Sequence, residues 1–312
     1  MKILLLNTAF ILVCLICQAQ QDPLYSQYLN NPVLINPAYT GINNKFNAVV
    51  GYRKQWAGFD GSPTMINFSS HMSLYQNKVG AGLMVVQDNI GDTRSTEVNA
   101  MYSYKLEFRD YVVSFGLLTG MVLLQNDPNQ VNPLDQNDPS FTFTKEFKFN
   151  FGSGVMLKSE RAMLGVSVPH LIPSTVGQGG QQMNVYAQHL YLLGAYVVYL
   201  SEYVRLKPSV LLRATKGSPM SADLNFNLNL EQRYTLGVLT RNFNTFGALV
   251  QMNIRDYRLG YVFEVPSSNS LGANFTSHEI SLSISLGPLS YHDRAFSKIG
   301  RASCRERVSP RV

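Results

Sequence analysis

The chain has 312 residues, 45% of them hydrophobic and only 15% charged, with a formal net charge of +6. Lys2 and the four arginines and one glutamate that follow Lys298 supply most of that charge; without them about +2 remains, which gives no argument for nucleic acid or an acidic partner. All three cysteines, Cys14, Cys17 and Cys304, lie near the two ends, so the body of the chain has neither a disulfide framework nor a thiolate metal site.

The N-terminal stretch reads as a secretory signal peptide over residues 1–19. Lys2 supplies the positive start, Ile3 to Ile16 the apolar run, and Cys17-Gln18-Ala19 the small-residue end. Val13 before Cys14 and Ile16 before Cys17 stand where a lipoprotein signal would have a small residue. No later run approaches the ~20 apolar residues of a membrane helix. The expectation is Sec-dependent export without a helical anchor.

Residues 20–44 follow as an arm. Asp22–Gly41 holds three prolines and none of the two-residue alternation of a membrane strand. Asp22-Pro23 has the form of a helix start, an N-cap followed by a residue whose fixed φ suits the first turn. Tyr25, Tyr28 and Leu29 would then share one helical face. Asn36-Pro37 repeats the device, and Gly41 can end the turn in a left-handed conformation. The segment is expected to be either an ordered N-terminal arm or a plug inserted into whatever follows. Asp22, Pro23, Tyr25, Gln27, Tyr28, Asn36, Pro37, Tyr39 and Gly41 are its candidate plug or partner-binding residues.

From Lys45 the chain alternates with a period of two. Ala222, Leu224, Phe226, Leu228 and Leu230 oppose Asp223, Asn225, Asn227, Asn229 and Glu231, and Ile280, Leu282, Ile284 and Leu286 oppose Glu279, Ser281, Ser283 and Ser285. About fourteen such segments can be counted, centred on Val50, Phe68, Leu83, Ala100, Leu117, Phe151, Val166, Ala195, Val210, Phe226, Val238, Val250, Tyr261 and Leu282. Most have ten or more residues, against the ~5–6 usual in soluble sheets. Turns after even segments are tight (Gln76-Asn77, Arg109-Asp110, Ser159-Glu160, Ser201-Glu202, Gln232-Arg233, Arg255-Asp256). Those after odd segments are longer: Ala57–Pro63, Asp88–Thr93, Gln125–Thr144, Leu171–Ala187, Thr215–Ser218 and Pro266–Gly272, with Asn242–Asn244 the exception.

This sorting is that of an all-β transmembrane outer-membrane barrel. The expectation is about fourteen antiparallel strands over residues 45–288, with the short turns and the N-terminal arm on the periplasmic side. Apolar residues would face outer-membrane lipid, and Trp56, Tyr52, Tyr102, Tyr104, Tyr191, Tyr199, Tyr234 and Tyr257 would form interfacial girdles. Asn, Ser and Gly would line the lumen together with the charges of Arg53, Lys78, Arg205, Lys207, Arg213 and Arg241; no apolar tunnel is visible. The two longest loops, with no apolar period, are expected to be surface segments able to contact a large partner. Residues 289–312 form a tail in which Ile299–Val308, IGRASCRERV, reads as the translation of a sequencing adapter and is set aside from fold reasoning.

Three runs together, QDPLYSQYLNNPVLINPAYTG at 21–41, YRKQW at Tyr52–Trp56 and GSPTMINFSSHMSL at Gly61–Leu74, resemble the PorP/SprF family of Bacteroidetes outer-membrane barrels. The likeness continues through HEISLSISL to about Gly287. It implies a non-enzymatic role, associated with the type IX secretion system and gliding motility, in exporting or anchoring large secreted proteins. The partners it implies are a secreted adhesin or sorting-domain protein and periplasmic secretion-system or peptidoglycan-linked proteins.

Chemistry of other kinds finds little support. His71 and Ser73 share a strand face, but Lys78, Gly80 and Gly82 opposite offer no group to orient an imidazole for nucleophilic catalysis. His170, His189 and His292 lack metal-ligand spacing. The Gly177–Gln181 run has no Lys-Ser/Thr or strand–helix setting for a phosphate. No catalytic residue, cofactor, metal or nucleic-acid partner is expected. Two functions stay open: the secretion-linked scaffold, and a gated outer-membrane channel for small or hydrophobic solutes with the arm as its hatch.

Overall fold

The computed structural model of the protein describes residues 25–74, 77–126, 144–172, 174–176, 183–186, 188–215, 218–267 and 275–287. The signal segment, Asp22, Pro23 and the tail beyond residue 287 lie outside them. The barrel strands are β1 (Phe46–Ala57), β2 (Thr64–Leu74), β3 (Val79–Ile90), β4 (Thr93–Glu107), β5 (Tyr111–Asn126), β6 (Thr144–Ser159), β7 (Ala162–Val168), β8 (His189–Tyr196, resuming as Val198–Tyr199), β9 (Val204–Thr215), β10 (Ser221–Leu230), β11 (Tyr234–Arg241), β12 (Thr245–Ile254), β13 (Tyr257–Pro266) and β14 (Thr276–Leu286). Each pairs antiparallel with its neighbours in sequence, and β1 pairs with β14 from Phe46↔Leu286 onward, so the sheet closes. All fourteen expected segment centres fall inside these strands. Closure leaves no lateral edge along most of the wall and satisfies the backbone where lipid cannot.

The two faces separate as the alternation requires. Along β10, Asp223, Asn225 and Asn227 are buried and Phe226 is exposed; along β14, Glu279 and Ser281 are buried and Ile280 and Leu282 are exposed. Along these two strands apolar side chains therefore point to lipid and polar ones to the lumen. Seven of the eight girdle aromatics are exposed, but Tyr191 is only 4% exposed and points inward. A basic residue at Phe226 should cost ~2–4 kcal/mol at the bilayer midplane. We expect Phe226→Arg to lower refolding stability in lipid by that amount, and equal stability to the parent would refute the register. The sequence also leads one to expect Asn225→Lys to be mild, as for a water-filled lumen. The structure reverses this, because Asn225 is buried against the arm.

Connections differ from expectation in two places. The β3–β4 turn is the tight pair Gly91-Asp92, with Gly91 at φ +55°, so the long-loop end has two short connections rather than one. Within the 171–187 loop, Ser174–Val176 and Met183–Tyr186 pair as a small antiparallel hairpin, so this segment is partly ordered. Among the described residues no helix is long and apolar enough to cross a membrane.

Candidate functional site

The lumen of the barrel is occupied by the chain's own arm. Where a helix was expected over Tyr25–Leu29 there is a turn, and two single 3-10 turns follow at Pro32–Leu34 and Pro37–Tyr39. Prolines at their first positions set φ and cannot continue a helix, so the chain folds back repeatedly in a narrow space. Asn36 caps its turn by accepting a hydrogen bond from the Ala38 N–H at 2.9 Å. Gly41 takes the expected left-handed conformation at φ +66°, and a Cβ there would meet the Met72 carbonyl at 2.6 Å. Tyr28, Ala38 and Thr40 have no exposed surface, and Asn36 has 1%.

Four sets of contacts fix the arm. Near the long-loop end, Ser26 and Gln27 dock on a chain of buried charges in the wall. The Ser26 and Gln27 N–H groups donate to the Glu279 carboxylate at 2.9 and 3.1 Å, and the Ser26 hydroxyl donates to Glu264 at 2.5 Å. Arg53 bridges Glu264 (2.5 Å) and Glu279 (3.1 Å) and donates to Ser26 Oγ at 2.7 Å. The chain continues through Arg241, 3.7 Å from Glu264 and 3.1 Å from Asp223, to Arg213, 2.7 Å from Asp223. Three cations face three carboxylates, so the network is neutral as a set and able to stay buried. Beside it, Asn225 donates to the Tyr28 hydroxyl at 2.5 Å, and burial pushes that hydroxyl's pKa up to about 12, so it stays protonated.

At mid-depth the Asn36 carboxamide donates to the Val155 and Val166 carbonyls at 3.2 and 3.3 Å, and Ser167 donates to the Ile35 carbonyl at 2.5 Å. Near the short-turn end, Gly41 N–H donates to His71 Nδ1 at 3.0 Å, which places the proton of that imidazole on Nε2. Lys105 donates to the Gly41 carbonyl (2.7 Å), Asn44 (2.8 Å) and Ser73 (2.8 Å), and Lys158 donates to Asn43. His71 and Ser73, the pair weighed as a nucleophilic couple, thus hold the arm and its lysine.

The fourth set is apolar. Val33 and Leu34 pack among the inward Met65, Met84, Val86, Met101 and Leu118, while Tyr28, Ile35, Ala38 and Ile42 pack among Met156, Met163, Tyr191, Leu193 and Leu211. This apolar half of the lumen was not expected. Methionine is unbranched and adaptable, which suits the irregular surface of a folded-back arm. Glycines supply the remaining space. A Cβ at Gly80 would lie 2.1 Å from the Thr40 carbonyl, at Gly116 2.1 Å from the Ala38 nitrogen, and at Gly154 2.2 Å from the Asn36 amide oxygen.

Of the candidate plug residues, the structure brings Tyr25, Gln27, Tyr28, Asn36, Pro37, Tyr39 and Gly41 into the lumen, with Tyr25 and Tyr39 only partly buried. Of the expected lumen charges, Arg53, Arg213 and Arg241 form the network, Lys207 shares their inward parity, and Arg205 lies 5.0 Å over the ring of Tyr199. Lys78 instead sits exposed at the β2–β3 turn. Two features were missed: the carboxylates Glu264 and Glu279 as the groups that receive the arm, with Asp223 behind them in the network, and Glu97. Glu97 is 4% exposed and accepts from Asn99 (2.5 Å) and Asn150 (2.8 Å), 3.2 Å from His170 Nε2. A cavity with room for about one water adjoins it, lined by Tyr25, Leu34, Met84, Pro169, His170 and Tyr191. Among the described residues no group of three His, Cys, Asp or Glu side chains could hold a metal.

A closed antiparallel barrel with an apolar outside and an internal N-terminal plug is a membrane β-barrel of the outer-membrane type. The model of the family "Type IX secretion system membrane protein PorP/SprF" matches residues 17–284, and the chain belongs to that family. No curated protein matches it. Similar solved structures include the CymD monoaromatic hydrocarbon channel, at 8% identity over 82% of this chain and 91% of that one, TM-score 0.48. Another is the Pseudomonas putida toluene transporter TodX, at 9% over 82% and 92%, TM-score 0.46. A mutant Rh. blastica porin is a third, at 9% over 78% and 99%, TM-score 0.33. The closure of the sheet itself, rather than these distant likenesses, establishes the barrel.

Proposed function

We propose that this protein is a plugged outer-membrane component of a type IX secretion system that supports export or surface anchoring of large secreted proteins, such as adhesins. Family membership carries the reading. The filled lumen supports a scaffold over an open pore, because the arm is tied to the wall at both ends and at mid-depth. On this reading the long-loop end faces the exported protein and the short-turn end faces periplasmic secretion-system or peptidoglycan-linked partners. The mature chain reaches the outer membrane after Sec-dependent export.

Deleting the gene in its host and scoring surface display of sorting-domain proteins tests the reading. Loss of display, restored by the intact chain, is the expected result; normal display together with lost uptake of small apolar solutes would favour a channel instead. Orientation is tested separately. Epitope tags in the 127–143 or 177–182 loops should be accessible on intact cells, and tags at Arg109-Asp110 or Ser201-Glu202 should not. The reverse labelling would invert the topology.

A further inference from the structure

The wall is not of even height. β6 pairs with β5 over all sixteen of its residues, from Asn126↔Thr144 to Tyr111↔Ser159, but with β7 over only six, from Ser153↔Val168 to Lys158↔Met163. Beyond β7 the chain stays beside β6 only briefly, with the Leu171 N–H donating to the Phe151 carbonyl at 2.8 Å. That bond fixes the parity. In an antiparallel sheet each residue turns its N–H and C=O to the same side, and the side alternates. Lys145, Phe147 and Phe149 therefore turn theirs to the side where β7 is missing, while Glu146 and Lys148 bond to β5. Among the described residues nothing pairs with this edge: Ser174–Val176 and Met183–Tyr186, the next segments of the chain, pair with each other.

We infer that the upper edge of β6, Lys145–Phe149, is a docking site for an extended segment of another polypeptide, which adds to the barrel wall as a further strand. Such an edge offers alternating backbone donors and acceptors, the ordinary template for strand addition. Its side chains say what would fit. The outer face carries Lys145, Phe147 (63% exposed) and Phe149 (72% exposed), and Glu146 and Lys148 on the other face neutralise one another at 3.0 Å. The segment accepted has apolar residues at alternate positions to cover the two phenylalanines and an acidic residue beside Lys145. Its place fits a partner arriving from outside. Sixteen residues at ~3.3 Å each, tilted ~40°, rise about 40 Å, against an apolar belt of ~25 Å, so the free part of β6 lies at or above the outer interface.

Antiparallel pairing of this edge with the same edge of a second copy is excluded by geometry. Antiparallel pairing about Phe147 would set Glu146 opposite Lys148, but the two-fold axis relating the strands would stand perpendicular to the sheet. The second barrel would then be inverted in the membrane.

Proline distinguishes backbone docking from side-chain adhesion. Phe147→Pro removes a donor that points to the free edge and costs no bond to β5, so the barrel should still fold. The experiment places the photocrosslinker p-benzoylphenylalanine at Phe149 of the full chain in its native host, with the same crosslinker at the fully paired, outward Phe115 as control. The expected result is a protein adduct from position 149 only. It should persist in Phe147→Leu and fall at least tenfold in Phe147→Pro, with the crosslinked peptide showing the alternating pattern. Adducts to lipid alone, adducts to the chain's own loops, or a protein adduct indifferent to Phe147→Pro would overturn the inference. A proline-sensitive adduct to a protein that is never exported would keep the docking edge and count against the export role proposed above.

Discussion

Arg53→Met should be among the most destabilising single substitutions in the barrel, by about 3–5 kcal/mol. The residue is 3% exposed and is the nearest cation to both Glu264 and Glu279, which are 1% and 5% exposed. Methionine fills much of the same volume, so a cavity contributes little to the loss. What remains is two buried carboxylates with only Arg241, 3.7 Å from one of them, to balance them. The same substitution removes the donor to Ser26 Oγ, so the first anchored residues of the arm loosen as well. Denaturant unfolding of the protein in lipid vesicles measures the cost, and protease sensitivity of the arm measures the loosening. The double variant Arg53→Met, Glu279→Gln is the control, because it leaves two cations, Arg241 and Arg213, against two carboxylates, Glu264 and Asp223, and so relieves the stranded charge. It should recover part of the stability without restoring protection of the arm. Equal losses in the single and double variants would show that the network does not act through charge.

The sequence reveals the barrel more fully than the lumen, and the reason lies in what each depends on. Strand positions follow from a local alternation that lipid enforces on one face. A residue such as Phe226 announces its side by its neighbours Asn225 and Asn227. The arm is legible in part, since Asn36-Pro37 and Gly41 impose local geometry wherever they stand. The wall's answer to it is not. Glu264 and Glu279 are far from Arg53 in sequence and adjacent only because β13, β14 and β1 meet at the seam of closure. Period-two reading marks all three as inward without showing that they meet. Tyr191 fails for a related reason: at the end of a segment an aromatic reads as a girdle residue, and only parity against Leu190 and Leu192, both exposed, turns it inward. Met65, Met84 and Met101 break the polar inner face, and that break, visible in the sequence, is the signal that could have disclosed a packed lumen.

The double variant Gly80→Val, Gly116→Val should expel the arm from the lumen and open the pore. The contact atoms at these positions are backbone, the Thr40 carbonyl and the Ala38 nitrogen, each 2.1 Å from where the new Cβ would lie, so no side-chain rotation can relieve the clash. One overpacked site typically costs ~1–3 kcal/mol, which the arm can absorb by a small local shift, since burying Tyr28, Val33 or Ile35 contributes ~1.5–3 kcal/mol apiece. Two clashes only two residues apart along the arm leave no common shift that relieves both. They also pull Gly41 from His71 and Lys105, so the loss at this end exceeds what the bonds there return. Each single variant should therefore remain closed with a more mobile arm, and the double variant should conduct. Gly194→Ala is the control, because its Cβ would meet only side chains at 3.4 Å and 3.6 Å. The reference for full opening is the chain lacking Asp22–Tyr39. In planar bilayers the double variant should reach the conductance of that deletion, while the control stays silent. A folded, non-conducting deletion would show that the arm is not what closes the barrel. A conducting deletion with normal display of exported proteins would separate closure from secretion and make the plug a seal rather than part of the export apparatus.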